Sequence, residues 1–130
     1  MAPARDKSEI EKLVDAAAEG DAQAQFDLGS TYELGYESGA DTKANVRLAA
    51  RYYRKAAESG HIEAQMTMAK LCLLGKGVQQ DPEEAAQWYL LAAEQGHRPA
   101  QLNLAEMYAC GRGVEKDLEQ SAKWIAKSLE

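Results

Sequence analysis

Histidine and cysteine are the residue types best suited to metal binding or nucleophilic chemistry, and this sequence contains two of each. His61 and His97 both follow a glycine. If they occupy equivalent places on neighbouring helices, they are separated by about 8–10 Å. Two imidazoles that share a zinc ion place their nitrogens only about 2 Å from the metal. We therefore interpret both histidines as positions of a structural repeat, and the sequence predicts neither a metal site nor a cofactor.

The two cysteines, Cys72 and Cys110, fall in apolar segments, where cysteine behaves as a small hydrophobic residue. Two cysteines are too few for a disulfide framework, so we expect two free, buried thiols. The first residues lack the apolar central region of a secretory signal. No apolar run approaches the roughly 18 residues of a membrane span. These features together predict a cytoplasmic location.

No group of side chains forms a catalytic pattern. None of the serines stands in the Gly-x-Ser-x-Gly context of a nucleophile elbow, and no pair of carboxylates is set apart from those expected on exposed helix faces. The net charge of −6 disfavours contact with the phosphates of nucleic acids and with anionic membranes. The sequence predicts no catalytic residue and no enzymatic activity. It favours a protein or peptide partner over nucleic acid or membrane.

Two glycine-rich segments and one basic helix leave alternatives open. Gly75-Lys76-Gly77 and Gly111-Arg112-Gly113 could form backbone nests for anions or turns that end helices. Neither continues into the Ser or Thr of a phosphate-binding loop. Four basic residues three or four positions apart share one helix face, which either faces solvent or contacts an acidic partner. This basic stripe consists of Arg47, Arg51, Arg54 and Lys55.

The elements that position these residues follow from an internal repeat. Gly75-Lys76-Gly77-Val78 recurs as Gly111-Arg112-Gly113-Val114, 36 positions later. In an earlier copy, Ala24-Gln25 precedes the equivalent Ala64-Gln65 by 40 positions. Tyr52-Tyr53 precedes the equivalent Trp88-Tyr89 by only 36. This difference predicts a lengthened loop over 36–42.

Start and stop signals divide each copy into two helices. Asp81 and Asp117 stand where a helix N-cap is expected, and Gly20, Gly60 and Gly96 stand where helices must end. We predict helices over 8–19, 22–35, 44–59, 62–74, 82–95, 98–110 and 118–129. They form a single repeat domain over 1–130, with a capping helix at 8–20 and repeats at 21–60, 61–96 and 97–130. The predicted fold class is all-α. A single helix pair cannot bury its apolar face alone but stacked pairs can, so we expect the three pairs to stack.

The repeated residues resemble the Sel-one-like repeat (SLR), a relative of the tetratricopeptide repeat (TPR). The family pattern runs as an alanine, leucine-glycine, a tyrosine, a Gly-x-Gly-Val turn, an aspartate, alanines, Trp-Tyr and Ala-Ala before a glycine. In the third copy it is represented by Ala100, Leu104-Ala105, Tyr108, Gly111-Arg112-Gly113-Val114, Asp117, Ala122 and Trp124. The resemblance implies a right-handed α-solenoid of antiparallel helix pairs, with three SLR/TPR-like repeats plus an N-terminal half-repeat helix.

Members of this family typically act as scaffolds or adaptors. The resemblance therefore implies a monomeric protein–protein interaction module that binds a peptide or partner protein on a concave face lined by the first helices. Two alternatives stay open. A cysteine-rich branch of the family is linked to β-lactam binding and hydrolysis, although it pairs cysteines close together within each repeat, unlike Cys72 and Cys110. The chain could also be a purely structural segment of a larger protein.

Analogy with TPR grooves indicates which side chains face inward. An apolar strip of one residue per repeat is flanked by polar groups of both signs, an arrangement that suits a helix or extended segment with apolar anchors. The same strip could instead pack between adjacent repeats. The predicted partner-binding residues are the strip, Phe26, Met66 and Leu102, and the flanking Asp27, Ser30, Thr67, Lys70, Asn103 and Glu106.

Overall fold

The computed structural model describes residues 7–35 and 42–130, and within these ranges it has seven helices and no strand. Every helix boundary lies within two residues of its prediction. The predicted loop insertion falls outside the described residues, except for Thr42, which begins α3. The helices are α1 (Lys7–Ala18), α2 (Ala22–Glu33), α3 (Thr42–Glu58), α4 (Ile62–Leu74), α5 (Pro82–Glu94), α6 (Arg98–Cys110) and α7 (Leu118–Ser128).

The helices stack in chain order. α1 packs on α2, and the pairs α2/α3, α4/α5 and α6/α7 pack on one another through α3/α4 and α5/α6. Short connections make consecutive helices antiparallel. The structure therefore confirms the predicted all-α solenoid. We call α2, α4 and α6 the first helices of the three repeats, and α3, α5 and α7 the second helices.

The predicted helix caps and helix ends are present in the structure. The carboxylates of Asp81 and Asp117 each accept a hydrogen bond, 3.1 Å long, from the backbone N–H three residues ahead. Gly60 and Gly96 end α3 and α5 with left-handed backbone, at φ +94° and +87°. Their N–H groups donate to carbonyls of the last helical turn, so these polar groups are satisfied where the chain reverses.

Alanines occupy much of the core where helices touch. Ala56, Ala64 and Ala92 are completely buried, and their small side chains allow the dense packing typical of protein interiors. Gly29 allows an even closer contact between helices, because a Cβ at this position would lie 2.9 Å from the ring of Tyr53. The missing side chain leaves room for that ring.

A buried glutamine joins each first helix to the helix that precedes it in the chain. The side-chain N–H of each glutamine donates to a backbone carbonyl near the end of the preceding helix, at 3.1 Å in all three cases. Each of these carbonyls also accepts the backbone N–H of the glycine that ends its helix, so the glutamine is its second donor and links two neighbouring helices. The bonds join Gln25 to Ala17, Gln65 to Ala57 and Gln101 to Ala93.

The second glycine of each Gly-x-Gly-Val turn lies against the preceding repeat. A Cβ at Gly77 would lie 2.6 Å from the carbonyl oxygen of Val46, and Gly113 faces the carbonyl of Pro82 in the same way. Both glycines also have positive φ, +74° and +75°. Only glycine meets both requirements without strain, so these turns set the spacing of the stack.

Candidate functional site

Side chains along α2, α4 and α6 form one accessible face, which we call the first-helix face. Positions separated by four, three and four residues lie on the same side of a helix. Each first helix therefore contributes four side chains, and all twelve are exposed or half-buried. They are Gln23, Asp27, Ser30 and Leu34 on α2 and its end, Glu63, Thr67, Lys70 and Leu74 on α4, and Pro99, Asn103, Glu106 and Cys110 on α6.

The structure places all six predicted polar residues on the first-helix face. Lys70 and Glu106 are exposed, and the other four are half-buried. Asp27 accepts a hydrogen bond of 3.0 Å from Gln23, and the Thr67 hydroxyl donates to the carbonyl of Glu63 at 2.8 Å. Their assignment to partner binding stays a prediction.

The three residues of the apolar strip have different surroundings. Phe26 is half-buried, with its ring stacked on His61 at a centroid distance of 4.9 Å and tilted against Tyr53 at 5.4 Å. Met66 belongs to the core and is only 9% exposed, whereas Leu102 is 46% exposed. Phe26 and Met66 therefore contribute to packing between helices, and Leu102 alone offers substantial apolar surface.

A second apolar row, not predicted from the sequence, lies where the first helices end. Leu34 is 82% exposed and Leu74 is 72% exposed, and the equivalent third-repeat residue, Cys110, is also exposed. The prediction that Cys110 is buried was therefore wrong, whereas Cys72 is buried as expected. The apolar row could have been predicted from the sequence, because Leu34 follows Ser30 by four positions and so shares its helix face.

An ion pair connects repeats 1 and 2 beside this row. Lys76, in the first Gly-x-Gly-Val turn, lies 3.4 Å from the carboxylate of Glu33. Glu33 also accepts a hydrogen bond of 2.5 Å from the Tyr53 hydroxyl. Burial, followed by this hydrogen bond, raises the pKa of Tyr53, so the hydroxyl keeps its proton and donates to Glu33.

One residue of the predicted basic stripe, Arg54, forms an ion pair with a neighbouring helix. Arg54 donates to both carboxylate oxygens of Glu84 on α5, at 2.8 and 3.4 Å, and the Cys72 thiol donates to the same carboxylate at 2.8 Å. These bonds, the one from Arg54 foremost, lower the pKa of Glu84. Burial and the neighbouring carboxylate raise the pKa of Cys72 to about 12. The thiol is therefore protonated at neutral pH and is a poor nucleophile.

The histidines and glycine-rich turns have structural roles. His61 is the N-cap of α4, where its Nδ1 accepts from the N–H of Ala64 at 3.1 Å and its Nε2 lies 2.9 Å from the side-chain oxygen of Gln23. His97 is the N-cap residue of α6 without such a side-chain bond. Gly75 and Gly111 end α4 and α6 in left-handed conformation, which matches the turn interpretation of the glycine-rich segments.

Over the part of the chain that the structure describes, no three His, Cys, Asp or Glu side chains come close enough together to hold a metal ion. None of the described helices is long and apolar enough to cross a membrane.

Comparison with solved structures finds close counterparts of this arrangement. A protective antigen of uropathogenic Escherichia coli with an SLR fold is 37% identical, with a TM-score of 0.80 over 92% of this chain and 25% of the other. A Sel1 repeat protein from Oxalobacter formigenes is 36% identical, with a TM-score of 0.81 over 92% of this chain and 47% of the other. This chain thus spans a quarter and about half of their lengths.

More distant structures share the fold alone. Helicobacter pylori cysteine rich protein B is 23% identical, with a TM-score of 0.63 over 92% of this chain and 88% of the other. A comparison with curated proteins finds no match. Proteins built from Sel1 repeats are generally non-enzymatic scaffolds that bind other proteins. Because the Sel1 repeat pattern matches residues 22–61, 62–97 and 98–130, the chain belongs to the Sel1 repeat family.

Proposed function

We propose that this chain is a scaffold or adaptor that binds a partner protein through the first-helix face. The observation that carries this proposal is the row of apolar side chains at the ends of the first helices, of which Leu34 and Leu74 are 82% and 72% exposed. Leucines held on well-packed helices need no rearrangement to bind, which favours recognition.

The spacing of the row suits a regular apolar partner segment. Neighbouring packed helices lie about 8–10 Å apart, and the Lys76–Glu33 ion pair of 3.4 Å holds the ends of the first helices of repeats 1 and 2 close together beside this row. Two turns of a partner helix span about 11 Å. A helix with an apolar residue at every seventh position therefore places its anchors at a comparable spacing, as in other helix-in-groove complexes.

Charges around the row supply selectivity. The first-helix face has charges of both signs, with Asp27 on α2, Glu63 and Lys70 on α4, and Glu106 on α6. Complementary charges on a partner would favour one register and disfavour others. We therefore propose a partner segment with apolar anchors and charges of both signs.

The test is site-specific crosslinking with a matched control. A photoreactive residue at position 70 should yield discrete crosslinked partners in lysate of the source organism, and one at position 87, on the exposed surface of α5, should not. The double variant Leu34→Lys/Leu74→Lys should abolish these adducts. Leu91→Lys, at a leucine that is 45% exposed on α5, should leave them unchanged.

All three substituted leucines are exposed, so each variant should keep the helical circular dichroism and the melting temperature of the parent chain. Adducts of equal yield from positions 70 and 87, or adducts that persist in the folded double variant, would contradict the proposal. Met66 is unsuitable for this test because a charge there would disrupt the core.

A further inference from the structure

A single carboxylate is shared by two groups where repeats 1 and 2 meet. The hydroxyl of Tyr53 on α3 donates to one oxygen of Glu33 at 2.5 Å, and Lys76 lies 3.4 Å from the other oxygen. The tyrosine comes from a second helix and the lysine from the Gly-x-Gly-Val turn that follows. Glu33 therefore serves as the acceptor for a tyrosine hydroxyl and as the counter-charge for a turn cation at the same time.

The junction of repeats 2 and 3 keeps both of these donors but lacks the carboxylate. Tyr89 on α5 and Arg112 in the second turn hold the repeat positions of the tyrosine and the lysine, 36 positions later in each case. The repeat position of the glutamate, 40 positions later, is held by Leu73. A hydroxyl and a guanidinium are therefore present here without the acceptor that their equivalents share.

Tyr89 is a buried side chain whose polar end has no partner in the described part of the chain. The residue is only 4% exposed, and neither its hydroxyl nor the Arg112 guanidinium forms a hydrogen bond or ion pair with another described residue. The hydroxyl is not among the fully enclosed polar atoms, so it reaches the surface. Since most polar groups of buried side chains in folded proteins are paired, this hydroxyl is a candidate contact for a ligand.

Glu106 on α6 does not take the role of the missing carboxylate. Burial, followed by the charge of Glu106, raises the pKa of Tyr89, and the charge of Arg112 opposes this rise. Both charges therefore lie near the hydroxyl, yet among the described residues Glu106 has neither a hydrogen bond to Tyr89 nor an ion pair with Arg112. The position that lacks the carboxylate directly precedes Leu74, an exposed anchor of the first-helix face.

We infer that Tyr89 and Arg112 bind the side-chain carboxylate of a glutamate or aspartate in the partner segment, as their equivalents bind a carboxylate of the chain itself. The hydroxyl donates to one carboxylate oxygen and the guanidinium pairs with the other, both as charge-assisted hydrogen bonds. The inference rests on the proposed function, because the carboxylate arrives on a segment bound at the first-helix face. It also sets the register of that segment, with its acidic residue beside the residue that contacts Leu74.

A carboxylate supplied by the chain itself tests the site without the partner. In Leu73→Glu, the introduced carboxylate takes the repeat position of Glu33. Arg112→Gln should then raise the unfolding equilibrium constant about fivefold more in Leu73→Glu than in Leu73→Gln, as measured by urea titration. Both variants lose the same leucine contacts, so the comparison isolates the charge. A difference below about twofold would overturn the inference.

The crosslinking assay tests whether the partner uses this site. With the photoreactive residue at position 70, Arg112→Gln should lower the adduct yield about fivefold, an ordinary loss for one charge-assisted hydrogen bond. Leu73→Glu should lower it as well, because the introduced carboxylate competes with that of the partner. Lys76→Gln is the matched control, since this lysine is already paired with Glu33, and it should leave the yield unchanged.

The outcomes separate this inference from the proposed function. Adducts that persist at the parent yield in Arg112→Gln overturn the carboxylate site and leave binding through the first-helix face intact. A crosslinked segment whose only carboxylate is its chain terminus also overturns it. The absence of any adduct in the parent chain contradicts the proposed function itself, and the inference with it.

Discussion

Replacement of the inter-repeat glycines by alanine separates backbone strain from close packing. Gly96 and Gly113 both have positive φ, +87° and +75°, but a Cβ at Gly96 would meet no atom within 4 Å. At Gly113 it would lie 2.7 Å from the carbonyl carbon of Pro82 and 2.8 Å from Cε of Met107. Gly96→Ala should therefore show the cost of left-handed backbone alone, and Gly113→Ala should add the cost of forcing two repeats apart.

The magnitudes follow from these two contributions. Left-handed backbone costs a non-glycine residue about 1–2 kcal/mol, which sets the loss of unfolding free energy for Gly96→Ala. Overpacking adds typically 1–3 kcal/mol, so Gly113→Ala should lose about 2–5 kcal/mol. Urea unfolding followed by circular dichroism measures both losses. Equal losses for the two variants would refute the conclusion that the Gly-x-Gly-Val turn sets the spacing between repeats.

Three further predictions concern the repeat junctions. Gln65→Leu, which removes hydrogen bonds of 3.1 and 2.9 Å, should lower the unfolding free energy by about 1–3 kcal/mol, whereas the exposed control Gln87→Leu should change it by under about 0.5 kcal/mol. Because the pKa of Glu84 is lowered in the folded chain, its ion pair stabilises the fold above the unfolded pKa of about 4.3 and loses this effect as pH falls through the folded pKa. The difference in unfolding free energy between the parent chain and Glu84→Gln, measured by urea titration, should therefore narrow below about pH 4.3. A difference that stays constant down to pH 3 would contradict this prediction. A thiol reagent at pH 7 should modify Cys110 rapidly and Cys72 only after unfolding; rapid modification of both cysteines in the native chain would show that Cys72 is accessible.

The fold was predictable because its signals are local and recur. Asp81 and Asp117 form the caps that their positions indicate, and Gly60 and Gly96 end the helices that precede them. These features depend on residues within one turn of a helix, so a single sequence contains the information needed. The recurring Ala-Gln pair was visible for the same reason, but its hydrogen bond to the preceding helix requires knowledge of how the pairs stack.

The candidate site was only partly predictable because burial depends on neighbouring repeats. Met66 and Leu102 occupy the same repeat position, yet one belongs to the core and the other is exposed. Cys72 and Cys110 both stand in apolar segments, but Cys110 shares its repeat position with the exposed Leu74. Arg54 follows the spacing of a solvent-facing stripe and instead pairs with Glu84 of the next repeat. Composition and helical spacing alone do not separate these cases.

The most direct test of the proposed function is to map where a captured partner segment binds. We propose ¹H–¹⁵N correlation spectra of the labelled chain, recorded during titration with the segment identified by crosslinking. The amides of Leu34, Lys70 and Leu74 should shift, and those of Arg51 and Leu91 on the second helices should stay in place. Shifts confined to the exposed surfaces of α3 and α5 would contradict binding through the first-helix face.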